Sequence, residues 1–290
     1  MHKKEWIVRK NMGLLDFLVQ YSGLPKKEMI HFIRTGCLYC NGEVCTNVKA
    51  LVQTGDKLVL AHHSRPALPF EVLYEDQEII VIDKPAGLLS MADAREKEKT
   101  AYHLVGDYLK KQDRQARVFI VHRLDRDTSG VLVLAKNEKI KRLLQENWQT
   151  IVRKRAYVAV VEGTPKPLQG TIDNYLSETR TQLVYASAKK TPGSKRAITH
   201  YRVNTTQKGY SMVEVALDTG RKNQIRVHLA GLGCPIVGDR KYGARSNPLG
   251  RLGLHCEEVA LVHPVSGKMM VFQAQRPACF ETLFSRNAKK

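Results

Sequence analysis

The sequence lacks any apolar run approaching the roughly 18 to 20 residues that a membrane span requires. Its opening, "MHKKEWIVRK", is basic but has no apolar core followed by a small-residue cleavage site, so no secretory signal is read and a cytoplasmic protein is expected. Neither a Gly-rich phosphate loop nor a dinucleotide fingerprint occurs, so nucleotide-cofactor chemistry has no sequence support. No internal repeat and no low-complexity span is present. Acidic residues are scarce: 28 Asp and Glu stand against 47 Lys and Arg, a net charge of +19 over 290 residues. Such an excess concentrates polyanions, and it makes nucleic acid the leading partner class. The cations are spread along the chain, as on a folded basic surface rather than a basic arm.

Six cysteines occur, at 37, 40, 45, 234, 256 and 279, and without a secretion signal they are expected as reduced thiols. "CLYCNGEVC" invites a zinc reading. Its Asn41-Gly42 pair is instead a hairpin signal, and no second Cys or His pair stands at ligand spacing nearby. No metal is expected.

The pattern of elements implies an α+β protein. "GLLDFLVQY" and "PKKEMIHFIRT" carry apolar residues at helical spacing, with Lys26, Lys27 and Arg34 outward; the hairpin and "LVQTGDKLVL" come next. Residues 1–62 thus read as a small α+β unit, and 63–70, with its prolines, as a linker. Residues 71–290 read as a larger domain built on a mixed, mainly antiparallel sheet, because long strand runs have few helices between them. A helix is expected over about 137–150, with Ile140, Leu143, Leu144 and Trp148 on one side.

Within that larger domain, "RVFIVHRLDRDTSGVLVLAKNEK" places two carboxylates and two guanidiniums between apolar runs. Counted as a calcium loop from Asp125, its twelfth position is Lys136 where an acidic ligand is needed, so calcium is excluded. An aspartyl phosphotransfer site would need a further carboxylate cluster for magnesium, and none is evident. A polar turn with a capping aspartate and an aspartate acting on RNA both remain. A second constellation, "LDTGRKNQIRVHLAGLGCPIVGDRKYG", favours the latter. If 225–229 is a strand, Gln224, Arg226 and His228 share one face and Ile225, Val227 and Leu229 the other. Arg221, Lys222, Arg240 and Lys241 supply cations beside it, and an arginine paired with Asp125 would hold that carboxylate ionised.

"HRLDRDTSGVLVLAKN" resembles the catalytic motif of the RluA-type pseudouridine synthases. "VIDKPAGLLS", "RKRAYVAVVEG", "TGRKNQIRVHLAGLGCPIVGDRKYG" and "LGLHCEEVALVHPVSG" resemble further motifs of that family, in the same order. The first 60 residues are similar to the small S-four-like RNA-binding domain that often precedes such a catalytic domain, although Leu14 stands where an arginine is usual. The resemblance implies a cofactor-free isomerase that turns uridine into pseudouridine within RNA, with Asp125 as the catalytic carboxylate. It leaves open whether Asp125 attacks the anomeric carbon or abstracts a sugar proton. It further implies Arg226 as the ion-pair partner of Asp125, Tyr157 as a catalytic residue that stacks against the target base and takes the proton from the new attachment carbon, and Arg123 entering the RNA around the flipped nucleotide. His122, Thr128, Arg221, Lys222, Gln224, Ile225 and Leu254 complete the expected substrate-binding set. Lys222-Asn223 replace a commoner Thr-His pair, read as a variant of an RNA-facing turn without consequence for the chemistry. Large-subunit ribosomal RNA is the first expected partner and transfer RNA the second, with the protein a monomer. The alternative is a non-catalytic RNA-binding or ribosome-assembly factor.

Overall fold

The computed structural model describes residues 4–34, 37–60, 68–93 and 96–285. The chain divides into two compact units: residues 1–68 with 106–116, and residues 69–105 with 117–290. Of the expected linker 63–70, residues 63–67 lie outside the described residues.

The first unit holds β1 (Lys4–Ile7), β2 (Met12–Gly13), α1 (Leu14–Ser22), α2 (Lys26–Arg34), β3 (Leu38–Cys40), β4 (Glu43–Val44), β5 (Leu51–Val52) and β6 (Lys57–Leu60). Its main sheet runs β1-β6-β3-β4, and β2 pairs with β5. Leu14, Phe17, Leu18, Met29, Ile33, Leu38 and Leu58 form its core, so the helical spacing read from the sequence marks the buried faces. Asn41 and Gly42 take φ of 53° and 89° and turn the β3–β4 hairpin, as an Asn-Gly pair does.

The second unit is built on one eleven-stranded sheet of order β13-β12-β14-β15-β11-β16-β10-β8-β7, with β9 on β10 and β17 on β16. In chain order its elements are β7 (Val72–Glu75), β8 (Ile79–Lys84), α3 (Ala101–Gln112), which runs across the division, β9 (Phe119–Ile120), β10 (Ser129–Ala135), α4 (Glu138–Glu146), α5 (Trp148–Ile151), β11 (Val152–Glu162), β12 (Gln169–Glu178), β13 (Val184–Ser187), β14 (Lys195–Gln207), β15 (Tyr210–Leu217), α6 (Gln224–Gly231), β16 (Leu254–Val262), β17 (Met269–Gln273) and α7 (Ala278–Phe284). The fold class is α+β on a mixed, mainly antiparallel sheet. Every strand pair is antiparallel except β10–β16, whose parallel register aligns Ser129 with His255 and Gly130 with Cys256.

That seam anchors the C-terminal end of the charged loop. Gly130 sits at φ +111°, and a Cβ there would lie 2.0 Å from the Cys256 carbonyl oxygen. Only glycine tolerates both the conformation and the approach. Strands β8 and β10 are buried along nearly their whole length, which explains their continuous apolar runs. The helix expected over 137–150 is two helices. Asn137 caps α4 by accepting the Ile140 N–H at 2.9 Å, and Asn147 interrupts it, its side-chain amide donating to the Leu143 carbonyl at 3.0 Å. Ile140 and Leu144 are buried, whereas Leu143 and Trp148 are half-buried.

Candidate active site

The charged loop lies between β9 and β10 and is braced from the β8 side. The Lys84 ammonium, fully buried, donates to the carbonyls of Pro85, Leu88 and Arg126 at 2.9, 2.7 and 3.0 Å. Three carbonyls match the three donors of an ammonium. Burial pulls the Lys84 pKa down to about 7, and the charges of Asp127 and Asp125 work against that fall. The Gly87 N–H also donates to the Arg126 carbonyl, and Ser90 Oγ donates to the Leu124 carbonyl at 2.8 Å. The Thr128 N–H closes a turn on the Asp125 carbonyl at 3.2 Å. Asp127, the second carboxylate of the loop, pairs with exposed Arg126 at 3.0 Å.

Asp125 thereby faces a cleft of about 1150 Å³ within the second unit. Arg123, His122, Tyr157, Arg226, Ile225 and Leu254 also line it. Arg226 Nη1 stands 3.4 Å from Asp125 Oδ2, with side-chain exposures of 13% and 29%. The expected pair is therefore present, but it is the weaker of Arg226's ionic contacts. Nε and Nη2 bond Asp239 Oδ2 and Oδ1 at 2.7 and 2.8 Å, a two-point fork on a carboxylate that is 1% exposed. Nη1 also donates to Asn223 Oδ1 at 3.0 Å, and the guanidinium lies 5.0 Å from the Tyr242 ring centre. Burial lowers the Arg226 pKa; the hydrogen bonds and charge of Asp239, then the charge of Asp125, outweigh it and leave it raised.

Residues 224–231 form a helix, not the expected strand. The alternation Ile225, Val227, Leu229 reads as period two, yet all three are buried together with Gln224 and His228. A short helix buried on most sides shows no amphipathic period, so alternation misleads. The helical turn separates the residues assigned to one face. Gln224 and His228, four apart, share a face and point into the sheet. Gln224 Nε2 donates to the Ile198 carbonyl and to Thr199 Oγ1, and its Oε1 accepts from Thr219 Oγ1 and the Arg221 N–H. Its hydrogen bonds are spent internally, although it also borders the cleft. His228 is bonded to Thr199 Oγ1 and Asn174 Oδ1, and burial brings its pKa to about 4. Arg226 alone turns toward Asp125.

Three further residues of these motifs have partners or packing inside the protein. His122 Nε2 accepts the Val133 N–H at 2.9 Å, and its ring packs 4.7 Å from that of Trp148. Burial, then the charge of Arg155, pushes its pKa to about 3, so it stands neutral and ties the loop to β10. Thr128 is 2% exposed and holds the turn from within. Asn223 is buried at φ 54°, accepts from Arg226 and donates to the Tyr242 hydroxyl at 2.9 Å, so the second member of the Lys222-Asn223 pair faces inward onto the arginine beside Asp125. Lys222 is exposed and ion-paired with Glu178. Arg221 is exposed on the cleft wall, its Nε bonded to the Arg196 carbonyl at 3.1 Å.

Tyr157 is 8% exposed and opposite Cys256 in the β11–β16 ladder, beside a bulge. Burial, then Cys256, raises its pKa well above the usual phenol value, so the hydroxyl stays protonated. Sequence reasoning misses Asp239, whose motif "GDRKYG" stands out for its cations, and it misses Arg155 and Trp148 on the cleft wall. Among the described residues, no group of three or more His, Cys, Asp or Glu could hold a metal ion.

A family profile described as RNA pseudouridylate synthase matches residues 78–231, which include the Asp125 loop, Tyr157 and Arg226. This chain belongs to the RNA pseudouridylate synthase family. It is 35% identical to the Bacillus subtilis RNA pseudouridine synthase YhcT, named as uncharacterized, over 73% of this chain and 70% of that one. It is 34% identical to ribosomal large subunit pseudouridine synthase D of Zymomonas mobilis, over 77% and 74% of the two chains. The solved structure of human RNA pseudouridylate synthase domain containing 4 superposes with a TM-score of 0.59 at 25% identity, covering 72% of this chain and 90% of that one. The protein is thus an RNA pseudouridine synthase of the RluA family, an isomerase whose substrate is RNA.

Proposed function

We propose that this pseudouridine synthase modifies uridine in large-subunit ribosomal RNA, and that Asp125 carries the chemistry. The observation behind the second half is a partly open carboxylate on an otherwise braced loop, beside a guanidinium that cannot swing away because Asp239 holds it at two points. In the reaction the bond from the ribose anomeric carbon to uracil N1 breaks and a bond to C5 forms. C5 loses a proton and N1 gains one, so nothing is oxidised and no group is imported. Asp125 assists either by bonding the anomeric carbon or by taking a sugar proton. An ionised carboxylate also stabilises positive charge developing on the sugar, as in glycoside hydrolysis.

Tyr157 and Leu254 offer a flat and an apolar surface to the uracil. Because its hydroxyl stays protonated, Tyr157 contributes a stacking face rather than a standing base. The uridine must leave its stack to enter the cleft, at a cost of a few kcal/mol that is least in loops and bulges. Arg123, exposed at the cleft mouth, suits the space that the extruded nucleotide vacates. The first unit, with Lys26 and Lys27 exposed on α2, is assigned an RNA-binding role of the S-four-like kind.

Ribosomal RNA is preferred because relatives over most of the chain are named for the ribosomal large subunit. The test is to delete the gene and map pseudouridine across ribosomal and transfer RNA. One large-subunit site should vanish, return with the wild-type gene and stay absent with Asp125→Asn. A site lost only from transfer RNA would overturn the substrate, and restoration by Asp125→Asn would overturn the catalytic assignment.

A further inference from the structure

Beside the Asp125 cleft lies a second cavity of about 540 Å³, where the starts of β11 and β14 meet the end of β15. Its charged lining is Arg153, Lys154, Arg155, Arg196 and Arg221 against a single carboxylate, Asp218. The two cavities share a wall made of Trp148, Gln149, Arg155, Leu217, Asp218, Thr219 and Arg221. Two of the five cations therefore belong to both.

Those two are fixed by backbone rather than by carboxylates. Arg155 Nη2 donates to the carbonyls of Leu217 and Asp218 at 3.0 and 2.9 Å. Arg221 Nε donates to the Arg196 carbonyl at 3.1 Å. A carbonyl orients a guanidinium without neutralising it, and each guanidinium retains further N–H donors. Of the other three, Lys154 is paired with Glu258 and Arg196 with Asp173, while Arg153 is exposed with no partner among the described residues. Arg155 is half-buried, so its charge is screened less than that of a surface residue. Immobilised, uncompensated guanidiniums facing a concave surface are suited to an external oxyanion such as the two non-bridging oxygens of a phosphodiester.

We propose that this groove binds the phosphodiester of nucleotides flanking the extruded uridine, the RNA backbone passing from cleft to groove over Arg155 and Arg221. The inference rests on RNA being the substrate of the cleft and names where the strand leaves it. Trp148, half-buried on the shared wall and backed by the His122 ring, presents aromatic surface on which the neighbouring base can stack. The groove contributes affinity and register, whereas Asp125 contributes chemistry.

The test titrates a fluorescent single-stranded, uridine-rich 12-nucleotide RNA into the full-length protein across a salt series. Arg155→Met and, as a variant confined to exposed side chains, the Arg153→Ala/Arg221→Ala pair should each weaken binding about tenfold at low salt. The log–log salt slope should fall by about 0.7 per cation removed, the value for single strands. The control is Lys189→Ala/Lys190→Ala, which removes two exposed charges that line neither cavity. If the control matches the groove pair in affinity and slope, the effect is that of overall charge and the groove is not a site. If both groove variants bind as wild type does, the proposal also fails. Pseudouridine formation by the wild-type protein is scored separately, so an inactive protein that binds through the groove would sink the functional reading and leave this one standing.

Discussion

Arg226 and Arg155 line the same cleft and are held in opposite ways. Arg226 forks onto buried Asp239, touches Asn223 and reaches Asp125, so its charge is spent on carboxylates inside the protein. Arg155 bonds only carbonyls. A neutralised guanidinium is a positioning device, and removing its partner strands a buried charge. A guanidinium oriented by carbonyls keeps its charge for an incoming anion. The cleft therefore separates a cation that orders the Asp125 carboxylate from a cation whose charge no carboxylate of the protein takes up.

The contrast between the two arginines breaks most completely if the loop carrying Asp125 loses its frame. Gly130→Ala forces a Cβ into the Cys256 carbonyl at a positive φ. It should destabilise the protein by about 4 kcal/mol or more, seen as a large drop in the urea midpoint or as failure to fold. A midpoint within error of wild type would mean that the β10–β16 seam does not position the loop.

Next in size is Asp239→Ala, which strips Arg226 of its main partner. A stability loss of about 3 kcal/mol is expected for an uncompensated buried charge. Pseudouridine formation should fall about 100-fold, with Asp239→Asn recovering part of the rate because one acceptor remains. RNA affinity measured alongside should hold, since Asp239 is buried beneath the cleft. Equal losses of rate and affinity would contradict the division of labour between the two arginines.

Smaller effects sharpen it through pH. Lys84 has its pKa lowered to about 7 from 10.5, so between those values the unfolded chain binds more protons. Wild type should therefore gain stability relative to Lys84→Met as pH rises from about 7 toward 10.5, and lose that contribution as pH falls through 7. Denaturant midpoints at several pH values decide it, and parallel curves would mean that Lys84 titrates normally. The same sign applies to His228, whose folded pKa is near 4 against 6.5. Its contribution, present above 6.5, fades as pH drops toward 4, and His228→Asn should flatten that acid limb. An unchanged acid limb would contradict a neutral, bonded His228.

Local rules reach the parts of the site whose chemistry is carried by neighbours in the chain. The Asp125 loop is a polar knot between apolar strands, and its strands, its turn and its carboxylate are legible there. Arg226 is legible as the partner of Asp125 although its strand is not a strand, because side-chain type survives an error in period. Gln224 and His228 do not survive it: on a helix they turn together into the sheet, a placement that alternation cannot reveal. Asp239 is invisible as a partner because its bonds to Arg226 depend on where the segment after α6 folds back, and Asn223 because its contact with Arg226, three residues on, exists only when the segment is a helix. Strands β12 and β13 escape notice for a related reason. Much of "QGTIDNYLSE" is polar and half-exposed near the sheet edge, where hydrophobic alternation fades. Lys84 shows the limit of reading charge as surface: a lysine beside Asp83 looks solvated, and it is fully buried against three carbonyls.

The central claim is that the Asp125 carboxylate performs the chemistry rather than holding the fold or the RNA. The most direct measurement compares pseudouridine formation and RNA affinity for Asp125→Asn and wild type on one unmodified large-subunit ribosomal RNA transcript. Product should become undetectable while the dissociation constant stays within about threefold, the loop being braced by backbone bonds that an amide leaves in place. Retained product formation, or affinity lost in step with activity in a folded protein, would contradict it.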